Sequence, residues 1–280
     1  MDKINYDVLI PARDEEENIK KTLEGIRNQT VKPNSIIVVN DNSKDETERI
    51  AISYGAKVIN FPYDHKNWVI TGELGILFSF GMNFFNKKNS HFIILGADHI
   101  LPKNYVEEII KNMKKDDVDM ASGIIENEIT TSPRGSGRIF TKKAMDCIEW
   151  KYQSNWGYET YALFKIQSEG MKTLVYPIIT KTQRPTGENY SIKKFYHMGF
   201  SYKALGYTSF YGIGRGLTIA KKFGMCNGLV FSLGFFSNHS IRYNKKIREH
   251  CKKNLKYSWK DIINNPKQLF KKFKNVYLAQ

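Results

Sequence analysis

The chain has 280 residues, 41% hydrophobic and 25% charged, which is enough to bury a sizeable core and too apolar for global disorder. Its formal net charge of +15 belongs to one end: residues 190–280 hold 18 Lys and Arg against Glu249 and Asp261, a balance of +16, whereas residues 1–189 hold 25 bases and 26 acids. Three widely spaced cysteines, Cys147, Cys226 and Cys251, argue against a disulfide framework or a paired-cysteine metal site and suit a reducing compartment. No long apolar run opens the chain, so export is not expected. The apolar run Gly228 to Phe236 is shorter than the roughly 18 to 20 residues that a spanning helix needs.

Tyr6 to Ile10 reads as a buried strand ended by Pro11. Asp14 then stands three before Glu17, a capping-box spacing, and Ile19, Leu23 and Ile26 recur at helical intervals. Ile36-Ile37-Val38-Val39 is a β-branched run, after which Ser43 and Glu46 repeat the capping spacing before a helix through about Tyr54. A short strand at Lys57 to Asn60 follows, then a glycine-interrupted helix over 70–86 and a buried strand from Phe92 to Leu95. Pro102 opens a helix carrying Val106, Ile109, Ile110 and Met113. Such alternation predicts an α/β protein with a mostly parallel central sheet covered by helices on both faces.

In such a sheet a ligand lies outside the carboxyl ends of the strands, where strand order reverses. The loops Pro11 to Glu15, Asn40 to Ser43 and Ala97 to His99 should therefore converge on one crevice. No G-x-G-x-x-G follows the first strand and no P-loop motif occurs, which disfavours both dinucleotide and P-loop binding. Three acidic motifs stand in order instead: Val39-Asn40-Asp41-Asn42-Ser43, Leu95-Gly96-Ala97-Asp98 and Gly157-Tyr158-Glu159. Carboxylates at strand tips suit a nucleotide gripped by acids, backbone and a hard divalent cation. Arg184 and His197 add a cation and an imidazole that could meet a diphosphate or complete a metal shell. The loop Thr130 to Gly137, with Pro133, Arg134, Gly135 and Gly137, reads as a mobile cover.

Ile10-Pro11-Ala12-Arg13-Asp14-Glu15 with Asn18, the stretch Val38 to Asp45, Gly96-Ala97-Asp98 with Pro102, and Gly157 to Gly170 resemble family 2 glycosyltransferases of the A-type glycosyltransferase (GT-A) fold over roughly residues 5–180. The resemblance implies that Pro11, Ala12, Arg13 and Glu15 line the nucleoside pocket and that Asp41 contacts base or ribose. Asn40, Ser43, Gly96, Ala97 and Arg184 complete the donor-binding set. It also makes Asp98 the metal-binding carboxylate, for Mn²⁺ or Mg²⁺; the His197 imidazole, read from its chemistry and not from the resemblance, is the candidate second ligand. Glu159 stands at the catalytic base, which implies inversion at the anomeric carbon. The chain departs from the family pattern at four places. Asn40-Asp41 replaces a pair of acids, and Gly96 replaces the first Asp of the metal motif. Residues 67–75 carry no Lys or Arg, and Thr160 follows Glu159 where a second acid is commoner.

In the basic end, Phe195, Tyr196, Phe200, Tyr202, Tyr207, Phe210 and Tyr211 interleave with Lys193, Lys194, Lys203 and Arg215. Bases among interfacial aromatics suit an anionic membrane surface, and no helix-turn-helix, zinc-finger or RNP-type motif supports nucleic acid. The expectation is a GT-A domain over residues 1–190 with a basic, aromatic-rich, mainly helical extension over 191–280. It transfers sugar from a nucleoside-diphosphate sugar to a glycan or polyprenyl-linked acceptor, and is cytoplasmic and peripheral on the membrane's cytoplasmic face. A non-catalytic nucleotide or carbohydrate binder on the same fold, and a basic membrane-binding protein on an α/β scaffold, stand beside it as alternatives.

Overall fold

The computed structural model describes residues 4–63, 74–127, 132–133, 135–153, 157–184, 192–237 and 242–255. The described residues fall into two compact units, the first holding those within 4–63, 74–153 and 169–184, the second those within 157–168 and 192–255.

The first unit begins β1 (Tyr6–Ala12), α1 (Ile19–Arg27), β2 (Ser35–Asn40), α2 (Thr47–Ser53) and β3 (Lys57–Asn60). It continues α3 (Leu74–Met82), β4 (His91–Ile94), β5 (His99–Ile100), α4 (Tyr105–Asp116), β6 (Met120–Ile125), β7 (Arg138–Thr141) and α5 (Lys142–Cys147), and closes with β8 (Thr173–Thr182). The strands form one sheet in the order β3-β2-β1-β4-β7-β6-β8-β5. The run from β3 to β4 and the β6–β8 pair are parallel; β7 is antiparallel to both its neighbours and β5 to β8. The expected parallel character thus holds on the β1 to β4 side, and the sheet as a whole is mixed.

Both faces are covered, as the alternation predicts. Val8 and Ile10 of β1 join Ile19, Leu23 and Ile26 of α1, Ala51 of α2 and Val106, Ile109 and Met113 of α4 in one core cluster. Each such fully buried aliphatic side chain contributes on the order of 1.5–3 kcal/mol. On the opposite face α3 lies against the sheet through Gly81, where a Cβ would stand 2.4 Å from a Leu9 methyl and 2.8 Å from a Val39 methyl. Only a glycine lets that helix approach so closely.

Three local expectations need correction. Pro11 lies inside β1, paired in register with Val39. Leu9 turns its carbonyl to β4, where it accepts from the Leu95 N–H. Pro11 shares that parity and points its missing donor to the side where the β4 pairing has already ended. The second correction is that neither capping box forms: α1 starts at Ile19 behind Asn18, and α2 at Thr47 behind Glu46, without a side-chain cap at either. Asp14 and Ser43 bind each other's loops instead, as described below. The third concerns the basic end. Phe195, Tyr202, Tyr207 and Tyr211 are buried, because in the second unit they form the core of a helical assembly with Phe231 and Phe235.

That second unit comprises α6 (Tyr158–Ser168), α7 (Ile192–Leu205), α8 (Ser209–Phe223), α9 (Met225–Phe236) and α10 (Lys245–Leu255). Among the described residues no helix is long and apolar enough to cross a membrane.

Candidate functional site

Strand order reverses between β1 and β4, so the loops after these strands and after neighbouring β2 share one end of the sheet. Their backbones are joined by hydrogen bonds between the first two loops. Asp14, in the left-handed region at φ 51°, accepts from the Lys44 N–H at 2.7 Å through its carboxylate, while its own N–H donates to Ser43 Oγ at 3.2 Å. The Glu15 N–H donates to Thr47 Oγ1 at 2.7 Å and the Glu16 N–H to Asp45 Oδ2 at 3.0 Å. Burial pushes the Asp45 carboxyl up, but hydrogen bonds from the Thr47 hydroxyl and the N–H groups of Glu16 and Thr47 outweigh it and hold the group below its ordinary range.

Asp41 sits at the centre of this frame. Its N–H donates to the Ala12 carbonyl at 2.9 Å, its side chain is fully buried, and Arg13 Nη1 donates to Oδ2 at 3.3 Å. The other oxygen, Oδ1, is buried without a hydrogen-bond partner among the described residues. Leaving such an acceptor unmet costs about 1–3 kcal/mol, so a bound donor would be favoured there. Asn40 is differently used: its amide donates to Asn60 Oδ1 at 2.8 Å and Glu48 Oε2 at 3.2 Å, and its oxygen accepts from the Ser43 N–H. Asn40 and Ser43 thereby shape the loop that carries Asp41. Pro11 and Ala12 contribute backbone at the end of β1.

The third loop enters through Asp98. Ala97 is buried and its carbonyl accepts from Thr22 Oγ1 of α1 at 2.7 Å. The Asp98 carbonyl accepts from the Gln183 N–H at 2.8 Å, and Gln183 Nε2 donates to the Asn18 carbonyl, which ties the end of β8 to the start of α1. Arg184 is thereby placed between two acids. Its Nε lies 3.3 Å from Asp98 Oδ2 and its Nη2 donates to Glu15 Oε1, while Glu15 Oε2 accepts from Asn18 Nδ2 at 2.9 Å. Burial pulls the guanidinium's pKa down, and the hydrogen bond and charge of Glu15 with the charge of Asp98 more than reverse that. Two ion-paired groups result, Arg13 with Asp41 and Arg184 with Glu15 and Asp98, linked along the chain by residues 13–15.

At Gly96 there is little room for a second side chain beside Asp98. A Cβ at Gly96 would fall 3.0 Å from Asp98 Oδ1 and 3.2 Å from Ser136 Oγ. Ser136 Oγ accepts from the Gly96 N–H at 2.7 Å and meets His99 Nδ1 at 2.5 Å. Sequence reasoning placed Ser136 only within the loop read as a mobile cover, because its partners Gly96 and His99 lie far from it along the chain. Among the described residues no group of three metal-ligating side chains gathers. Asp98 still fits a Mg²⁺ or Mn²⁺ ion, which takes one or two carboxylates and draws its other oxygens from phosphate and water.

Glu159 and His197 belong to the second unit. Glu159 is in the first turn of α6, where the helix dipole favours a negative charge, and Gly157 before it takes φ 83° with its Cα facing Ser201 of α7. His197 is half-buried on α7, its ring 5.7 Å from that of Tyr196. Residues 67–73 and, in the loop 130–137, residues 130, 131 and 134 lie outside the described residues.

The mixed sheet with its reversal between β1 and β4 is an α/β architecture shared with solved glycosyltransferases of the GT-A fold. Residues 7–176 match the family described as Glycosyl transferase family 2, and the chain belongs to that family. It is 33% identical over 108 residues to an uncharacterized glycosyltransferase of Rickettsia typhi, a match covering 39% of this chain and 31% of the relative. It is 51% identical over 53 residues to 4,4'-diaponeurosporenoate glycosyltransferase of Staphylococcus aureus, covering 19% of this chain and 14% of that one. Among solved structures, a mannosyltransferase from Pyrobaculum calidifontis in complex with GDP-Man and Mn²⁺ superposes with a TM-score of 0.57 at 14% identity, covering 69% of this chain and 61% of that chain. S. aureus TarS in complex with UDP-GlcNAc gives 0.53 at 14% identity, covering 92% of this chain and 77% of that chain.

Proposed function

We propose that this family 2 domain transfers a sugar from a nucleoside-diphosphate sugar to an acceptor hydroxyl with inversion. The observation that supports the reading is the placement of Asp41, Glu15 and Asp98 in the loops at the carboxyl ends of β2, β1 and β4, with Glu15 and Asp98 bridged by Arg184 and Asp41 Oδ1 buried without a partner among the described residues. Asp41 accepts from the base or ribose, with Arg13 holding its other oxygen in place, and Pro11, Ala12 and Glu15 shape the floor beneath the nucleoside. Arg184 leaves its carboxylate partners to meet the negative diphosphate. When bound at Asp98, a Mn²⁺ or Mg²⁺ ion supplies Lewis-acid neutralisation of the leaving diphosphate. His197 is the candidate second protein ligand. Glu159 takes the proton of the attacking hydroxyl, and a single displacement from the far face inverts the anomeric centre.

A lipid-linked or otherwise apolar acceptor, taken up at the cytoplasmic face of a membrane, is supported by the basic carboxyl end and by the name of the S. aureus relative, 4,4'-diaponeurosporenoate glycosyltransferase. The solved neighbours hold GDP-Man in one case and UDP-GlcNAc in another, so both bases are to be tried. The test is calorimetric titration of UDP and GDP, with and without Mn²⁺, into the wild type and Asp98→Asn. One nucleotide should bind in a metal-dependent way that the variant loses; binding of neither would overturn the reading. Glu159→Gln should then abolish transfer while nucleotide binding persists.

A further inference from the structure

The helices α8 and α9 are joined by Gly224 alone and run antiparallel, packed through small residues. A Cβ at Gly212 would stand 2.5 Å from the Phe235 ring, one at Gly216 2.4 Å from Ser232 Oγ, and one at Gly228 2.6 Å from the Ala220 Cβ. Such close crossing is common where helices meet in lipid. The outer face of the pair is apolar as well. Phe210, Ile213 and Leu217 on α8, with Met225, Leu229 and Leu233 on α9, are 53 to 77% exposed, and at helical spacing each set forms one row.

The two rows lie on one side of the hairpin. On each helix, at 100° per residue, the exposed row is about a quarter turn from the row meeting the other helix, in the same rotational sense. For antiparallel neighbours, equal rotation in the same sense carries both rows to the same side. The result is a continuous apolar face, of the kind that marks a binding surface.

Charge selects its occupant. No Asp or Glu occurs between Glu188 and Glu249, whereas Lys221 and Lys222 stand exposed at the end of α8 beside the turn. A second copy would bring like charge against like, and an anionic lipid surface would be attracted. At 12 residues α9 is about 18 Å long, too short for a bilayer core of about 30 Å, so it must lie in the plane. We propose that the α8–α9 hairpin docks in-plane on an anionic membrane, its apolar face in the acyl boundary and Lys221 and Lys222 at the headgroups. Of the interleaved aromatics of the sequence, Phe210 belongs to this face, whereas Phe195, Tyr202, Tyr207 and Tyr211 are buried. It stands apart from the sugar-transfer reading.

The test is flotation of the full chain with phosphatidylcholine vesicles containing about 30% phosphatidylglycerol. Wild type should float, and Leu217→Glu with Leu233→Glu should lower the partition coefficient at least about tenfold. Leu217→Ser with Leu233→Ser, which removes area without adding charge, should fall between them. Both pairs are at exposed positions, so melting curves and nucleotide binding should match the wild type. Lys221→Gln with Lys222→Gln should weaken binding and flatten its salt dependence. A wild type that stays at the bottom of the gradient, variants that float equally well, or a dimer in sedimentation that the Glu variant dissociates would each overturn the proposal. Flotation without nucleotide binding would leave it standing and sink the transfer reading, and the reverse result would do the opposite.

Discussion

Arg184 Nε lies 3.3 Å from Asp98 Oδ2, so the carboxylate assigned to a divalent cation is held by a guanidinium. The same side chain reaches Glu15, and it is half exposed, so it can swing away at small cost. In this state cation and metal compete for one oxygen. Arg184→Gln should therefore bind Mn²⁺ a few-fold more tightly without nucleotide, yet bind the nucleoside diphosphate about tenfold more weakly, the worth of one charge-assisted contact. Calorimetry with each ligand alone measures both; a parallel loss of the two affinities would show that Arg184 only braces the loops.

Asp41 carries a buried oxygen with no partner among the described residues, which is a cost in the free protein and a contact in the complex. Asp41→Ala should reduce nucleotide affinity about tenfold to a hundredfold, or about 1.4–3 kcal/mol for a hydrogen bond to a charged group. Stability should change by less than about 1 kcal/mol, because the variant also removes an unmet acceptor and leaves Arg13 partly in water. Urea unfolding beside calorimetry separates the two effects.

Gly96 faces the Asp98 carboxylate and Ser136 Oγ at distances that leave a side chain little room. Gly96→Asp would place a second carboxylate beside the first. Without metal the variant should lose about 1–2 kcal/mol to crowding and like charge, and Mn²⁺ should restore part of it. Thermal melts with and without Mn²⁺ check this; a loss that metal does not touch would mean the new acid points elsewhere.

His91, at the opposite end of β4 from the site, has its imidazole pushed down from 6.5 to about 4 by burial. Its folded pKa is below the unfolded one, so the neutral ring stabilises the fold above about pH 6.5, and that contribution fades as pH falls toward 4. The full shift corresponds to at most roughly 3 to 3.5 kcal/mol. His91→Gln should flatten the stability profile across this window, and denaturant midpoints from pH 7 to 4 provide the comparison.

Much of the fold was legible because it is local. The strand at Lys57–Asn60 matches residue for residue, and the apolar spacing of α1 and α4 names the side chains that enter the core. The capping boxes misled because a carboxylate or hydroxyl near a helix start can serve any nearby N–H. Asp14 and Ser43 met those of the opposite loop, which the spacing of one loop cannot reveal. The interleaved aromatics misled for a related reason: composition shows that Tyr202 and Tyr207 lie among lysines, not which side of a helix faces Phe231.

The sequence by itself determined the family, the β1 to β4 order of strands and helices, and which loops carry Asp41 and Asp98, since each depends on hydrophobic period and short motifs. Tertiary structure decided the antiparallel entry of β7, the contact of Ser136 with Gly96, the grip of Arg184 on two acids, and the exposed rows of α8 and α9. Those depend on which distant segments meet, and backbone hydrogen bonding and close packing choose the partners only once the chain is folded.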